Sequence, residues 1–524
     1  MSLGANKQAL MGAAGSGGAA DDFYTHQIAN SCRFNGAGRL LRTNGSAPTL
    51  ATKYTFSTWI KRSKLSSHQI IFGAETNNVN YDYFNFRSDN LLEQTSQRTA
   101  SYVTRDLSVY RDTSAYYHLV FQWDTTLASA TDRLKVYVNG VRLSWDQTQY
   151  SGAIPQDTAL KLNENGASLS VGYTVSYTSY LNGYMAQTAG IDGSIVAIGD
   201  LGETKNGVWI AKDLSGLTFG NNGFLLDYAS SSDMGNDVSG NNNDFTPTSI
   251  AAHDQMLDSP TFGSSSTGNC CTLSPLTNQS GLTITENNLK MSRSSAGNVG
   301  IPTTMGASTG KYYFEVYWNN DTQVGNYVWG FVEPDSSIFG SNAAIEVPAT
   351  YSLRNNSGQT SLNGSSINMN GRQPTTGTII GIAIDFDNGK IFYGQDGGSG
   401  SRAMNWNNSS TGTGVPQSGT NPAQTFTAGS ITLIPAFSIS SIGDTNWILN
   451  FGQSSAFSGA LTSQGNTDGN GQGDFYYSPP TGFTGWTTGG LTISDEINPA
   501  ETDDNFPQKL FGILKYTGNG SQRT

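Results

Sequence analysis

Residues Tyr117 to Leu143 read YHLVFQWDTTLASATDRLKVYVNGVRL. In the first arm Tyr117, Leu119, Phe121 and Trp123 alternate with His118 and Gln122. That period of two predicts a half-buried strand. The second arm turns at Asn139-Gly140, a dipeptide that tolerates positive φ at both centres of a type I′ hairpin. A two-residue loop sets Val138 opposite Val141 and Val136 opposite Leu143. Leu134, Val136, Val138, Val141 and Leu143 then share one apolar face, with Lys135, Tyr137 and Arg142 on the other. A lone hairpin cannot bury such a face, so a second sheet must cover it.

Thr378 to Tyr393, TIIGIAIDFDNGKIFY, repeats the device. Ile380, Ile382, Ile384 and Phe386 form one face, continued by Ile391 and Tyr393. Asn388-Gly389 makes the turn, with Asp387 and Lys390 expected as a charge pair beside it. The two hairpins lie roughly 250 residues apart, about where single cores stop growing. The expected fold is therefore all-β, with two β-sandwich domains in series.

Composition supports a turn-rich β protein. Charged residues are 13 % of the 524, against the usual ~25 %, and there are 62 glycines. Aromatics at 11 % argue against disorder. With a net charge of −12 and no dense Lys/Arg patch, nucleic acid is not an expected partner. No apolar run nears ~18 residues, so no membrane insertion is expected. Cys32, Cys270 and Cys271 form neither a disulfide framework nor a zinc spacing. The N-terminal stretch MSLGANKQALMGAAGSGG lacks the charged and apolar regions of a signal peptide.

Along the chain, residues 1–22 are Ala/Gly/Ser-rich and are read as a flexible attachment tail. Short strands with turns between them then run from Phe23, including YTFSTWI (Tyr54 to Ile60) and YDYFNFR (Tyr81 to Arg87). The expected map is a first sandwich with a C-terminal strap over 23–262, a Ser/Thr/Asn linker over 263–281, a second sandwich over 282–488, and an extension over 489–524. YTFSTWIKR, HLVFQWD and RLKVYVNGVRL, in that order, resemble the LamG, or concanavalin A-like, jelly roll across Phe23 to Leu226. GKYYFEV, GIAIDFDNGKIFY and LNFGQ resemble a SPRY-type sandwich across Leu282 to Phe483. The stretches GNDVSGNNNDF and DQMLDSPT resemble a segment of tailed-bacteriophage structural proteins. There it links a LamG-like domain to a second module. YTGNG near the end resembles the opening of a further β module in those proteins.

Catalytic and metal chemistry leaves little trace. Concanavalin A-like glycanases carry an E-x-D-x-E run, and none occurs here. Asp385 and Asp387 are read as turn residues. His26, His68, His118 and His253 are scattered, and His118 reads as a structural histidine. Asp124, Asp132 and Asp146 lie near strand ends, where some LamG domains hold calcium. They lack a D-x-D-x-D-G loop and read as turn residues, so no metal and no cofactor is expected. Tyr81 and Tyr83 fit a strand. Trp145, Tyr177, Tyr180 and Trp406 sit among Asn, Ser and Thr and are the candidate glycan-binding residues, with packing in a core or interface as the other reading.

The functional expectation is a non-enzymatic structural component of a phage virion, a tail fibre, spike or capsid fibre, that attaches to host-surface glycan. The phage assignment is what the resemblance implies. Leu10 and Met11 would plug the tail into a virion partner, and the resemblance implies a homo-oligomer, with trimers common among such fibres. Particles assemble in the host cytoplasm. The alternatives are a virion polysaccharide depolymerase and a bacterial surface adhesin.

Overall fold

A computed structural model describes residues 23–491, except 78, 99, 145–152, 175–177, 278–280, 294–298, 321–326, 335–350, 355–358, 363–364, 369–375, 397–403, 409–411 and 440–442. Two β-sandwiches dominate it. The longest helix among the described residues is the four-residue Ile198–Leu201.

One sheet of the first sandwich runs in the order Val141–Arg142, Leu134–Val138, Tyr117–Asp124, Lys53–Arg62, Asn182–Asp192, Ser31–Asn35, Gln255–Met256. Its partner runs Thr246–Thr248, Arg39–Thr43, Ser168–Val171, Gln69–Asn77, Asn80–Phe86, Leu92–Gln97, Ser101–Arg105. Alternate residues of each strand meet between the sheets: Tyr54, Phe56 and Ile60, Leu119, Phe121 and Trp123, against Phe72, Phe84 and Phe86. Phe56 stacks on Phe72 at 4.1 Å between ring centroids.

The hairpin forms as its sequence demands. Asn139 and Gly140 have φ of 50° and 76°. Val138 faces Val141, and the Leu143 amide donates to the Val136 carbonyl at 2.8 Å. Two details differ. Val141 is 67 % exposed, on the two-residue strand at the edge of its sheet. The opposite face is not solvated either: His118 and Gln122 are buried. The chain after Asp192 folds back over it. Gly202–Lys205 and Val208–Ala211 form a hairpin there, and Leu201, Leu214, Phe219 and Leu225 pack on Val120, Ala189 and Ile191. The strap adds strands to both sheets, with Phe224–Leu226 joining Asn182–Asp192 and Thr246–Thr248 joining Arg39–Thr43.

Gly140 carries a testable consequence. A Cβ there would come to 2.4 Å from the Trp209 ring, too close for contact, and φ of 76° disfavours a β-branched side chain. Gly140→Val is expected to cost about 2–3 kcal/mol from backbone strain and this collision. Chemical denaturation measures it, and an unchanged midpoint would mean that the turn is absent.

In the second sandwich, one sheet runs Leu282–Thr285, Lys290–Arg293, Gly443–Asn450, Lys311–Asn320, Ile379–Asp385, Lys390–Gln395, Asn405–Asn408, Gly412–Thr413. The other runs Val299–Pro302, Ile434–Ile439, Tyr327–Val332, Tyr351–Arg354, Gln359–Leu362, Ser365–Asn368. Trp318, Trp329, Trp447 and Trp486 anchor the core. The Ile380, Ile382, Ile384 face is buried as expected, but the turn is longer. Asp385 pairs with Lys390, so Phe386 to Gly389 form a four-residue loop. The expected Asp387–Lys390 charge pair is replaced by other contacts. The Gly310 amide donates to Asp387 at 2.8 Å, and Lys390 Nζ donates to the Gly419 carbonyl at 2.9 Å.

The two sandwiches meet along a buried polar seam. Arg33 Nη2 lies 2.8 Å from Asp254, and its Nη1 lies 3.1 Å from Glu286 of the second sandwich. Asn287 Nδ2 donates to the carbonyls of Phe34 at 3.0 Å and Gly183 at 2.8 Å. The Tyr184 hydroxyl returns a bond to the Asn287 carbonyl at 2.8 Å. Glu286, Asn287 and Asn288 all have positive φ, between 50° and 66°. Three left-handed residues in succession are costly, and these cross-seam bonds hold them. The stretch read as a Ser/Thr/Asn linker, 263–281, contributes to the same seam. Ser266, Thr267, Asn269, Cys270, Cys271, Thr272 and Leu273 are buried. Cys270 pairs with Thr487 in an isolated bridge. Ser266 Oγ donates to the Ile28 carbonyl at 2.8 Å and Asn269 Oδ1 accepts from Lys61 Nζ at 2.7 Å, so small polar side chains that suggest a loop satisfy buried groups here.

Candidate functional site

A cleft of about 360 Å³ opens at the rim of the first sandwich, lined by Leu50, Lys53, Gln122, Asp124, Leu127, Asp132, Lys135 and Gly193–Ile195. Sheet register builds it. Lys53, at the start of its strand, lies opposite Asp124, at the end of the neighbouring one, and Gln122 lies opposite Lys135. Residues directly opposite on antiparallel strands are within side-chain reach. Lys53 Nζ is 3.1 Å from Asp124 Oδ2, and both groups keep some exposure. Asp132 pairs with Arg142 at 2.7 Å.

Partial burial raises the Asp124 carboxyl, but hydrogen bonds from Thr126 and Lys53 outweigh it and hold the group below the ordinary range. The hydrogen bond from Arg142 does the same for Asp132. Both are ionised acceptors at neutral pH. A glycosidase pair requires one carboxyl held protonated as the acid, and these two do not offer it. Carboxylates, an amide and two ammonium groups around Leu50 and Leu127 suit hydroxyl recognition. Among the described residues, no group of three His, Cys, Asp or Glu is placed to hold a metal ion.

The other expected residues scatter. Tyr180 packs against Tyr173 with ring centroids 4.7 Å apart and the planes tilted by 32°, and its hydroxyl accepts from Arg39 at 2.8 Å. Trp406 packs on Tyr313, Phe392 and Phe475 of the second sandwich. The structure does not bring Tyr180 and Trp406 together. Trp145, Tyr177, Leu10, Met11 and Asp146 lie outside the described residues. Asp385 is buried, pairs with Lys311 at 3.0 Å, and accepts from the Asn388 amide at 3.0 Å. That is a turn-holding arrangement.

His118 and Ser57 have the look of a nucleophile pair, with Nε2 at 2.9 Å from the hydroxyl. The third partner rules this out. Trp209 Nε1 can only donate, so Nδ1 of His118 accepts at 2.9 Å and Nε2 carries the proton. The ring cannot take the serine proton. Burial between Trp59 and Trp209 pulls the imidazole down to about 3.

Sequence reading missed Lys53 and Gln122 as site residues. Their relation to Asp124 and Lys135 exists only across strands. It also missed Glu315, buried in the second sandwich. The residue's place on the Tyr313 face of GKYYFEVYW was the available signal.

Residues 35–193 match the family model described as the concanavalin A-like lectin/glucanases superfamily. The rim cleft draws on this stretch. No curated protein matches the chain. Among solved structures, the SPRY domain of human HERC1 is similar at 14 % identity, over 34 % of this chain and 96 % of that one, with a TM-score of 0.26. A Bacteroides ovatus protein proposed to bind carbohydrate is similar at 14 % identity, over 43 % and 60 %, with a TM-score of 0.31. A heptameric SAP-like pentraxin from Limulus polyphemus is similar at 14 % identity, over 33 % and 80 %, with a TM-score of 0.25. Likeness at this level carries no information about ligand or partner. What stands is a nearly all-β protein whose first sandwich has a lectin/glucanase-type fold.

Proposed function

We propose that this chain is a structural component of a tailed-phage particle and binds a host-surface glycan at the rim cleft of its first sandwich. The observation that carries the glycan reading is the cleft itself, with Lys53, Asp124, Gln122 and Lys135 around Leu50 and Leu127 on a lectin-type sandwich. A sugar is neutral and polyhydroxylated. Charged side chains bond its hydroxyls, while apolar ones cover its C–H face. The particle reading rests on the resemblance of GNDVSGNNNDF and DQMLDSPT to phage structural proteins. Under it, the tail bearing Leu10 and Met11 docks on other virion proteins, and several copies act together.

The test removes Lys53 and Asp124 together, so that neither charge is left unpaired. Wild-type protein is expected to bind host surface polysaccharide. The Lys53→Ala/Asp124→Ala variant should lose at least about tenfold in affinity, which is ~1.4 kcal/mol, with stability changed by no more than about 1 kcal/mol. Wild-type protein that fails to bind overturns the glycan reading. Purified particles that bear no copy of the protein by immunogold labelling overturn the particle reading.

A further inference from the structure

Three polar side chains from distant parts of the chain meet in the seam, out of reach of solvent. Lys61, on the strand Lys53–Arg62, is 1 % exposed, Asp258 is 0 % and Asn269 is 6 %. Lys61 Nζ donates to Asp258 Oδ2 at 2.8 Å, to Asn269 Oδ1 at 2.7 Å and to the Cys270 carbonyl at 2.7 Å. The centre of the Tyr184 ring lies 5.6 Å from Nζ. Tyr184 belongs to a buried cluster with Trp59, Tyr116 and Met256. The nitrogen is thus held by three acceptors in otherwise apolar surroundings.

The Asn269 amide is fixed in orientation. Its Nδ2 donates to the Ser114 carbonyl at 2.5 Å, a contact that only the NH₂ end can make, so Oδ1 faces the ammonium. The amide carbon lies one C=O bond, about 1.2 Å, beyond that oxygen. A nitrogen nucleophile, an acyl group whose oxygen accepts from it, and a carboxylate on the same nitrogen are the parts of an acyl transfer. Holding them together replaces a high concentration of free amine. Burial keeps out the water that would compete for the acyl group.

We propose that Lys61 and Asn269 join in an intramolecular isopeptide bond, with Asp258 carrying the protons. Until then Lys61 and Asp258 hold the seam as an ion pair. Asp258 takes one proton from Nζ, and rotation about the Cε–Nζ bond turns the freed lone pair to the Asn269 amide carbon. The Nζ–Cγ bond forms and the Cγ–Nδ2 bond breaks. Asp258 passes its proton to Nδ2, which departs as ammonia, and takes a second from Nζ. Of the three Nζ protons, one stays in the new amide, one leaves with the ammonia and one remains on Asp258. Nothing is oxidised or reduced. Two buried charges become none, which removes their desolvation penalty. Burial already pushes the Asp258 carboxyl up, and this favours its keeping that proton. The bond ties the strand Lys53–Arg62 to the path into the second sandwich and locks the seam covalently.

Mass spectrometry of the denatured full chain reads the bond. Wild-type protein kept folded at neutral pH is expected to fall below the mass of its own sequence by one ammonia. Digestion should yield a single branched peptide that joins the Lys61 and Asn269 segments. On a denaturing gel the linked chain should run faster, because one loop stays closed. Asn269→Ala keeps the Lys61–Asp258 pair and removes the acyl group, so it should hold its full mass and melt at a lower temperature. Asp258→Asn removes the proton carrier, and freshly synthesised variant should form the bond at least about a hundredfold more slowly. Wild-type protein at full sequence mass, or an ammonia loss that maps to a succinimide at an Asn-Gly pair, overturns the proposal. Loss of one water with Lys61 joined to Asp258 overturns the assignment of Asn269. Asp258→Asn that links at the wild-type rate overturns the part given to Asp258.

Discussion

Replacing Glu315 by Leu is expected to lower the stability of the second sandwich by about 4 kcal/mol, since each buried group left unsatisfied costs ~1–3 kcal/mol. Glu315 is fully buried, and both its oxygens are saturated. Oε1 accepts from the Tyr313 hydroxyl at 3.0 Å and the Tyr477 amide at 2.8 Å. Oε2 accepts from Asn450 Nδ2 at 3.0 Å and the Tyr476 amide at 2.9 Å. One carboxylate thus ties two neighbouring strands to the loop that covers them. Leucine fills the space and takes the acceptor from the Tyr313 hydroxyl and the Tyr476 and Tyr477 amides, while Asn450 Nδ2 keeps only the Asp474 carbonyl at 2.8 Å. Gln keeps one acceptor oxygen and should lose less.

The same residue makes the protein respond to pH. Burial raises its carboxyl from 4.5 to about 7, against the four donors. The folded state therefore holds a proton that the unfolded state releases between those values. This contribution to stability is complete below pH 4.5 and declines as pH rises through about 7, by up to ~3 kcal/mol for a shift of this size. Urea denaturation at pH 5 and pH 7.5 should show the decline in the wild type and a smaller one in Glu315→Gln. Identical pH dependence in both proteins would refute the assignment.

Lys61→Met is expected to cost about 3–5 kcal/mol, the penalty for leaving a buried charge without its partner. Lys61 and Asp258 are both almost fully buried, 2.8 Å apart. The remaining ammonium protons go to Asn269 Oδ1 and the Cys270 carbonyl, each at 2.7 Å. Lys61 belongs to the central strand of the first sandwich, and Asn269 and Cys270 lie on the path into the second. The ammonium is thus a node of the seam. Burial pushes the Asp258 carboxyl up, and Lys61 opposes this. Without Lys61, that carboxylate must take up a proton or open the seam. Removing both charges, as Lys61→Met/Asp258→Leu, should recover part of the loss, because the uncompensated charge disappears. Early proteolysis within 263–273 should accompany the single variant. A single variant that costs less than about 1 kcal/mol would place Lys61 outside the group of buried pairs.

Much of the core was legible because it depends on local chemistry. Tyr54, Phe56 and Ile60 share a face through the pleat alone, and Asn139-Gly140 turns through backbone sterics alone. The Asn388-Gly389 hairpin shows where this stops. Its apolar faces were readable, but its loop length was set by the pairing of Asp385 with Lys390. Charge placement followed that register.

By itself, then, the sequence determined two β-sandwiches, the inward face of their main strands and the position of their sharpest turns, all properties of residues a few positions apart. The tertiary structure alone decided the rest. Covering of the outer face by Trp209 and Leu214 depends on a return of the chain that no periodicity encodes. The seam joins Arg33 to Asp254 and Lys61 to Asp258 across about two hundred residues. A Ser/Thr/Asn stretch looks the same whether water or a buried backbone group satisfies it, so 263–281 read as linker while its residues 266–273 folded as interface. The rim cleft and the Lys61–Asn269 contact have the same origin. Each exists only where segments distant in sequence set their side chains together, and the chemistry of a site belongs to that juxtaposition and not to any one segment.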